Sequence, residues 1–242
     1  MKKSYYPTRY NLMRFCLTLL FFTACEFSTF AQTASEIMSK HIKAIGGKAK
    51  LDAISSFTYE MGPKIIYYKK PGMWRIDNLD SGKIKETTIY HGEMGWNIFD
   101  NTNVQPSYTS LSLSGQADNI FLVSYLAYTN ASDYKIEYSG LEKGGDNLVL
   151  EVTPLVNNSI GASYTYYINP KTYLITKSTI NFEGPSVVYY FKNYKTFSGI
   201  QVPLTITVEN EDRGTSTELV RTKVKINIPL NNKLFADPTL KK

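Results

Sequence analysis

Cysteine is nearly absent from this 242-residue chain: Cys16 and Cys25 are the only two, both within the first 25 residues. The long stretch beyond them therefore holds neither a disulfide framework nor a Cys-rich zinc site. Histidine is as scarce. His41 and His91 stand alone, without the H-x-x-x-H or H-x-H spacing of zinc hydrolases. Charge of one sign is also limited. The chain carries +6, of which +3 comes from Lys2, Lys3, Arg9 and Arg14 against Glu26 in the first 31 residues. The remainder has 23 basic and 20 acidic residues, a mild excess that gives little support to a nucleic-acid partner. Catalytic motifs are missing too: there is no G-x-S-x-G, no Walker-type loop and no strand-linked G-x-G-x-x-G. Gly46-Gly47-Lys48 follows a helical pattern and reads as a helix stop, not a phosphate loop. Glu209, Glu211 and Asp212 sit with Arg213-Gly214 in a turn pattern and lack EF-hand spacing, so they read as a solvated turn. His91 reads as a turn residue beside Gly92, and His41 as the edge of a helix face. With no acid–base or nucleophilic set, an enzyme is not expected, and neither is a metal or cofactor.

What is present begins with a leader. Basic residues end at Arg14, and an apolar run of ten residues, Phe15 to Ala24, follows. That is too short to span a bilayer and has the layout of a signal peptide over residues 1–31. Two cleavage sites compete. Thr29-Phe30-Ala31 before Gln32 offers small residues at −3 and −1, as signal peptidase needs, and yields a periplasmic product. Phe22-Thr23-Ala24-Cys25 is similar to a lipobox, which would make an outer-membrane lipoprotein anchored through Cys25. No other stretch reaches 18 apolar residues, so no transmembrane helix is expected.

From residue 32 onward the pattern is that of one domain without linkers. Thr33 and Glu36 have capping-box spacing. Ile37, Met38, His41, Ile42 and Ile45 form one helical face, stopped by Gly46-Gly47, with a short turn over 48–54. Beyond residue 55 the period becomes two. Phe57, Tyr59 and Met61 alternate with polar neighbours, as do Trp74 and Ile76, Trp96 and Ile98, and Leu148, Leu150 and Val152. So do Tyr164, Tyr166 and Ile168, Val187, Tyr189 and Phe191, Leu204, Ile206 and Val208, and Val224, Ile226 and Ile228. This marks antiparallel strands with one buried face. Turn signals such as Lys70-Pro71-Gly72, Ser81-Gly82 and Ser198-Gly199 separate them. A mainly β (α+β) fold follows: a highly curved open antiparallel sheet of about 10–12 strands capped by two or three helices. Residues 118–128 read as a further helix, and 101–115, rich in Ser, Thr and Asn, as a loop. The residues after 31 keep 16 Tyr, 7 Phe and 2 Trp, which suit either a β core or the walls of an apolar pocket.

Several local patterns, taken in order, add to this. Residues 34–54 read ASEIMSKHIKAIGGKAKLDAI. Lys70-Pro71-Gly72-Met73-Trp74-Arg75 and Tyr90-His91-Gly92-Glu93-Met94-Gly95-Trp96 follow, then Tyr167 to Ile175 (YINPKTYLI) and Phe197 to Pro203 (FSGIQVP). Ile226-Asn227-Ile228-Pro229-Leu230 and Leu234-Phe235-Ala236-Asp237-Pro238 close the set. The chain resembles the outer-membrane lipoprotein-sorting (LolA/LolB-like) family in its Bacteroidetes-type form. The resemblance implies a half-barrel with an apolar cavity for lipoprotein acyl chains or another lipid. It also implies a monomeric carrier that works between an inner-membrane donor and an outer-membrane acceptor. A lipid-sensing regulatory protein of the same fold is the alternative. An acyl chain needs an apolar cavity rather than a precise polar site, and helices are natural lids. The family's basic residue before the early hairpin proline matches Lys70, which lacks arginine's bidentate fork. Trp74, Trp96, Phe121, Leu122 and Tyr125 are the other candidate lining residues.

Overall fold

The capping box forms as spaced. Thr33 Oγ1 accepts from the Glu36 backbone N–H at 3.2 Å, and Glu36 Oε2 accepts from the Thr33 N–H at 3.1 Å. Helix α1, Ala34–Ala44, starts there and buries Ile37, Met38, His41 and Ile42. It ends where Gly47 N–H returns to the Ile42 carbonyl, and α2, Lys48–Asp52, follows. The computed structural model describes residues 33–91, 94–100, 102–106, 134–155, 163–181, 186–210 and 212–240.

Thirteen strands follow the helices. They are β1 (Ser56–Met61), β2 (Lys64–Lys69), β3 (Met73–Asp80), β4 (Lys83–His91), β5 (Met94–Phe99), β6 (Asn103–Pro106) and β7 (Tyr134–Leu141). The rest are β8 (Leu148–Pro154), β9 (Ser163–Ile168), β10 (Ile175–Asn181), β11 (Val187–Phe197), β12 (Ile200–Asn210) and β13 (Thr215–Ile226). All pair antiparallel in one sheet, ordered β6-β5-β4-β3-β2-β1-β13-β12-β11-β10-β9-β8-β7. Two meanders are thus joined through a β1–β13 pair, with β6 and β7 at opposite edges, and the sheet does not close into a barrel.

The count exceeds the expected 10–12 by one. Part of the excess is β6, which lies inside the segment expected to be a loop. Its Asn-Val-Gln-Pro sequence is a poor strand former, and pairing with β5 at the sheet edge overrides that propensity. The helix expected over 118–128 lies outside the described residues, as does the leader with both of its cleavage sites.

One apolar cluster shows that the sheet curves. It joins α1 (Ile37, Ile42) and α2 (Leu51) to Tyr68 and Trp74 on one arm and to Leu150 and Ile168 on the other. Strands β3 and β8 are eight positions apart in the sheet, roughly 38 Å if it were flat at the usual strand spacing. A helix is only about 10–12 Å across. Both arms reach one helical plug only because the sheet curls around it. The helix-bearing side is therefore the inner, concave face.

The helices sit at one end. Gln201 N–H donates to the Ile45 carbonyl at 3.0 Å, at the β11–β12 turn. His41 Nδ1 donates to the Tyr173 carbonyl at 2.7 Å, in the β9–β10 turn. A carbonyl can only accept, so Nδ1 carries a proton. The expectation that His41 lies at the edge of the helix face is corrected: it is fully buried. The β9–β10 turn meets the ring there through the Tyr173 carbonyl.

The outer face has its own closure. Thr87 Oγ1 donates to Asp77 Oδ1 at 2.7 Å and Arg75 Nε donates to the same oxygen at 2.9 Å. Arg75 also reaches the Leu234 carbonyl at 3.3 Å, and Lys69 Nζ reaches Leu230 O at 2.8 Å. These contacts hold the last described segment, with its 3₁₀ turn Asn232–Phe235, over β3 and β4, where Phe235 is buried.

Candidate functional site

Register decides which side chains the concave face presents. Opposite partners share a face. Phe57 faces Tyr68, Tyr68 faces Trp74 and Trp74 faces Tyr90, so these four aromatics form one inner row beside the helices. Phe57 and Tyr68 stack at 4.7 Å between centroids, and Trp74 meets Phe57 edge-on at 5.3 Å. On the other arm, Tyr138, Leu150, Tyr166, Ser178, Tyr189, Val208 and Thr217 form an inner row across β7–β13. The next row toward the helix-free end runs Ile136, Val152, Tyr164, Ile180, Val187.

Cover is uneven within both rows. Tyr166 and Leu150, under the helices, are buried, and Val152 and Ile180 in the second row are buried as well. Tyr134, Tyr164, Tyr189, Met61 and Leu219 are only partly covered. The inner face is thus plugged at one end and presents a half-exposed tyrosine and aliphatic lining at the other. Burial raises the phenol pKa of Tyr164, with Tyr134 and Tyr189 adding to it, and that of Tyr189. Burial likewise raises Tyr59, Tyr166 and Tyr194. Neutral, amphipathic rings of this kind suit contact with hydrocarbon.

Arg221 is also on the inner face, 1% exposed. Its guanidinium lies 5.0 Å from the Tyr59 ring centre and donates to the Pro203 carbonyl at 3.1 Å. Burial lowers its pKa, and the neighbouring Tyr59 and Tyr194 oppose that shift.

The tyrosines give a pH prediction. Each buried phenol has a folded pKa above its ordinary value of 10.0, so the folded chain keeps protons that the unfolded chain releases. The stability they contribute is complete below about pH 10 and is lost as pH rises further. Thermal melts should show a Tm that begins to fall near that pH. Tyrosinate absorbance should rise in two phases, the second coincident with unfolding. A single-phase titration at unchanged Tm would contradict the buried assignment.

The expected lining residues fall in different places. Trp74 is inner and 1% exposed. Trp96 pairs with Ile89, which pairs with Arg75, so it belongs to the outer face. The sheet itself separates the two tryptophans, because each one's face depends on hairpin register. Lys70 lies in the β2–β3 turn, away from the half-exposed side chains. Its Nζ donates to the carbonyl of Asp52 at 2.7 Å, at the last residue of α2, where a cation complements the helix C-terminus. Phe121, Leu122 and Tyr125 lie outside the described residues. Sequence alternation marks Tyr164, Tyr189 and Met61 as one-faced but does not say which face or which end they occupy. Arg221 carries no such signal, since it sits in the polar run Arg221-Thr222-Lys223.

Among the described residues, no group of three or more His, Cys, Asp or Glu side chains could hold a metal ion. No helix among them is long and apolar enough to cross a membrane.

Comparison with known proteins places this geometry. No curated protein matches the sequence. Solved structures do match in fold. A DUF1329 family protein from Desulfovibrio piger aligns with TM-score 0.60 at 14% identity, over 86% of this chain and 99% of that one. A LolA superfamily protein from Nitrosomonas europaea aligns with TM-score 0.57 at 17% identity, over 86% and 99%. A domain from Vibrio parahaemolyticus, described as an outer membrane lipoprotein-sorting protein, aligns with TM-score 0.55 at 18% identity, over 83% and 94%. A family model described as "uncharacterized protein" matches residues 120–242. The chain therefore belongs to that uncharacterized family, and its fold is similar to those of these three solved structures.

Proposed function

We propose that this protein is a periplasmic carrier that holds lipoprotein acyl chains or a related lipid against its concave face and passes them toward the outer membrane. The observation that carries this reading is the set of half-exposed side chains Tyr164, Tyr189, Met61 and Leu219 on the inner face toward the helix-free end of an open sheet. Apolar surface left uncovered on a concave wall favours a hydrocarbon ligand, at roughly 25 cal/mol per Å² buried. Trp74 and its aromatic row form the floor beneath, and Lys70 latches α2 to the β2–β3 turn. The reading needs no catalytic group, metal or cofactor. It places residues 32–242 in one monomeric lipid-binding domain, exported by the leader, with an inner-membrane donor and an outer-membrane acceptor. The fold shared with a lipoprotein-sorting domain supports it.

Native mass spectrometry of gently purified protein should show a retained lipid, and a fluorescent fatty-acid analogue should bind with one-to-one stoichiometry. If neither occurs, the carrier reading fails.

A further inference from the structure

The two arms of the concave face differ in chemistry. On β8–β11 the inner positions Leu150, Val152, Tyr164, Tyr166, Ser178, Ile180 and Tyr189 carry no charge. On β3–β5 the register places Asn78 opposite Glu86, Glu86 opposite Phe99, and Thr88 opposite Asn97. Ile76 faces Thr88, which fixes this set to the same side as Trp74 and the helices. The polar groups are already paired along the wall. Asn78 Nδ2 donates to Glu86 Oε2 at 3.1 Å, and Thr88 Oγ1 donates to Asn97 Oδ1 at 3.0 Å. Among the described residues, Glu86 Oε1 and Asn97 Nδ2 make no further bond. Asn78, Glu86 and Asn97 are half-buried.

A sheet face that served only as core would not carry a carboxylate and two amides on one arm while the named positions of the other arm carry neither. A face that met only water would not set the half-buried Tyr164 and Tyr189 beside the buried Leu150, Val152, Tyr166 and Ile180. We propose that this division orients an amphiphile, with its chain on the β8–β11 wall and an ammonium-bearing headgroup against Glu86, Asn78 and Asn97 on the β3–β5 wall. The inference rests on the carrier reading and adds the headgroup to it. Glu86 supplies the sign. A carboxylate fixed by Asn78 accepts a charge-assisted hydrogen bond from an ammonium and repels another carboxylate. The cations on the same side do not cancel it. Arg221 is sealed beneath Tyr59, and Lys64, next to Asn78 in register, is solvent-exposed at the rim, where water and salt screen it.

The test uses three ligands of equal chain length, dodecylamine, laurate and dodecanol, competing with a fluorescent fatty-acid analogue at pH 7. Dodecylamine should bind about tenfold tighter than laurate, the scale of one charge-assisted hydrogen bond. Glu86→Gln should remove that preference while leaving dodecanol within about twofold, and Glu86→Lys should invert it. Thermal melts establish that both variants fold. If laurate binds as well as dodecylamine, or if Glu86→Gln keeps the preference, the headgroup inference is wrong and the carrier reading stands. If none of the three competes, both fall together.

Discussion

Trp74→Ala should cost about 3–5 kcal/mol of folding stability, the range for removing a large aromatic from a packed core. Trp74 is among the largest fully buried side chains. It packs edge-on against Phe57 at 5.3 Å and tilted against Tyr68 at 4.7 Å, so truncation also removes two aromatic contacts of about 0.5–1.5 kcal/mol each. The row cannot collapse into the void, because its members stand on four neighbouring paired strands. For a domain of this size the Tm should fall on the order of 10 °C. Trp74→Phe is the informative control. Among the described residues the indole Nε1 has no hydrogen-bond partner, so the replacement forfeits volume but no bond. It also removes a buried donor that costs about 1–3 kcal/mol unpaired. The Phe variant should therefore lose far less, about 1 kcal/mol. Urea unfolding measures both. An alanine variant within about 1 kcal/mol of the wild type would mean that the inner row does not hold the fold together.

The fold was legible where local chemistry and tertiary context agree. The Thr33–Glu36 box, the Ile37-Met38-His41-Ile42 stripe and the Gly46-Gly47 stop lie within a few residues of each other, and the helix follows them. The β period was readable in Phe57-Tyr59-Met61 and in Leu148-Leu150-Val152 for the same reason. The face each strand turns inward was not. Trp74 and Trp96 both alternate cleanly, yet they end on opposite sides, because a hairpin register shifted by one residue reverses every side chain. β6 escaped notice because an edge strand of four residues needs only one neighbour and little propensity of its own.

The candidate site was less legible than the fold. Its defining property is a contrast between arms that are distant in sequence: Tyr164 and Tyr189 on one, Asn78, Glu86 and Asn97 on the other. No local window contains both. Arg221 escaped for a related reason. In the run Arg221-Thr222-Lys223 all three residues look solvent-facing. The bulge at Lys223, with φ 51°, shifts the β1–β13 register so that Arg221 turns under Tyr59. Lys70 was singled out by family resemblance, and the structure supplies its partner, the carbonyl that ends α2.

Gly46→Ala should destabilise the protein by about 2–4 kcal/mol, although it adds only one methyl group at a partly buried site. Gly46 has φ +132°, a conformation that side chains rarely adopt. A Cβ there would lie 2.7 Å from the Gly199 carbonyl oxygen and 3.2 Å from Ile200 Cα. Both obstacles are backbone, in a tight turn whose Ser198 and Gly199 have φ 50° and 77°. That turn is tied to the helix by the Gln201-to-Ile45 hydrogen bond, so neither side can give way alone. The adjoining Gly47 separates strain from collision. Its φ is +86°, but a Cβ would meet nothing within 4 Å. Gly47, with ψ 151°, lies in a region nearly exclusive to glycine, so Gly47→Ala should cost only the backbone penalty, about 1–3 kcal/mol. The difference between the two variants measures how tightly the plug is seated. If the plug covers the inner row, displacing it in Gly46→Ala uncovers Tyr166 and Leu150, and binding of a polarity-sensitive dye should rise in that variant but not in Gly47→Ala. Equal stability loss with equal dye binding would mean that the helices rest on the sheet without being wedged against the β11–β12 turn. The concave face would then owe its closed end to apolar contact alone.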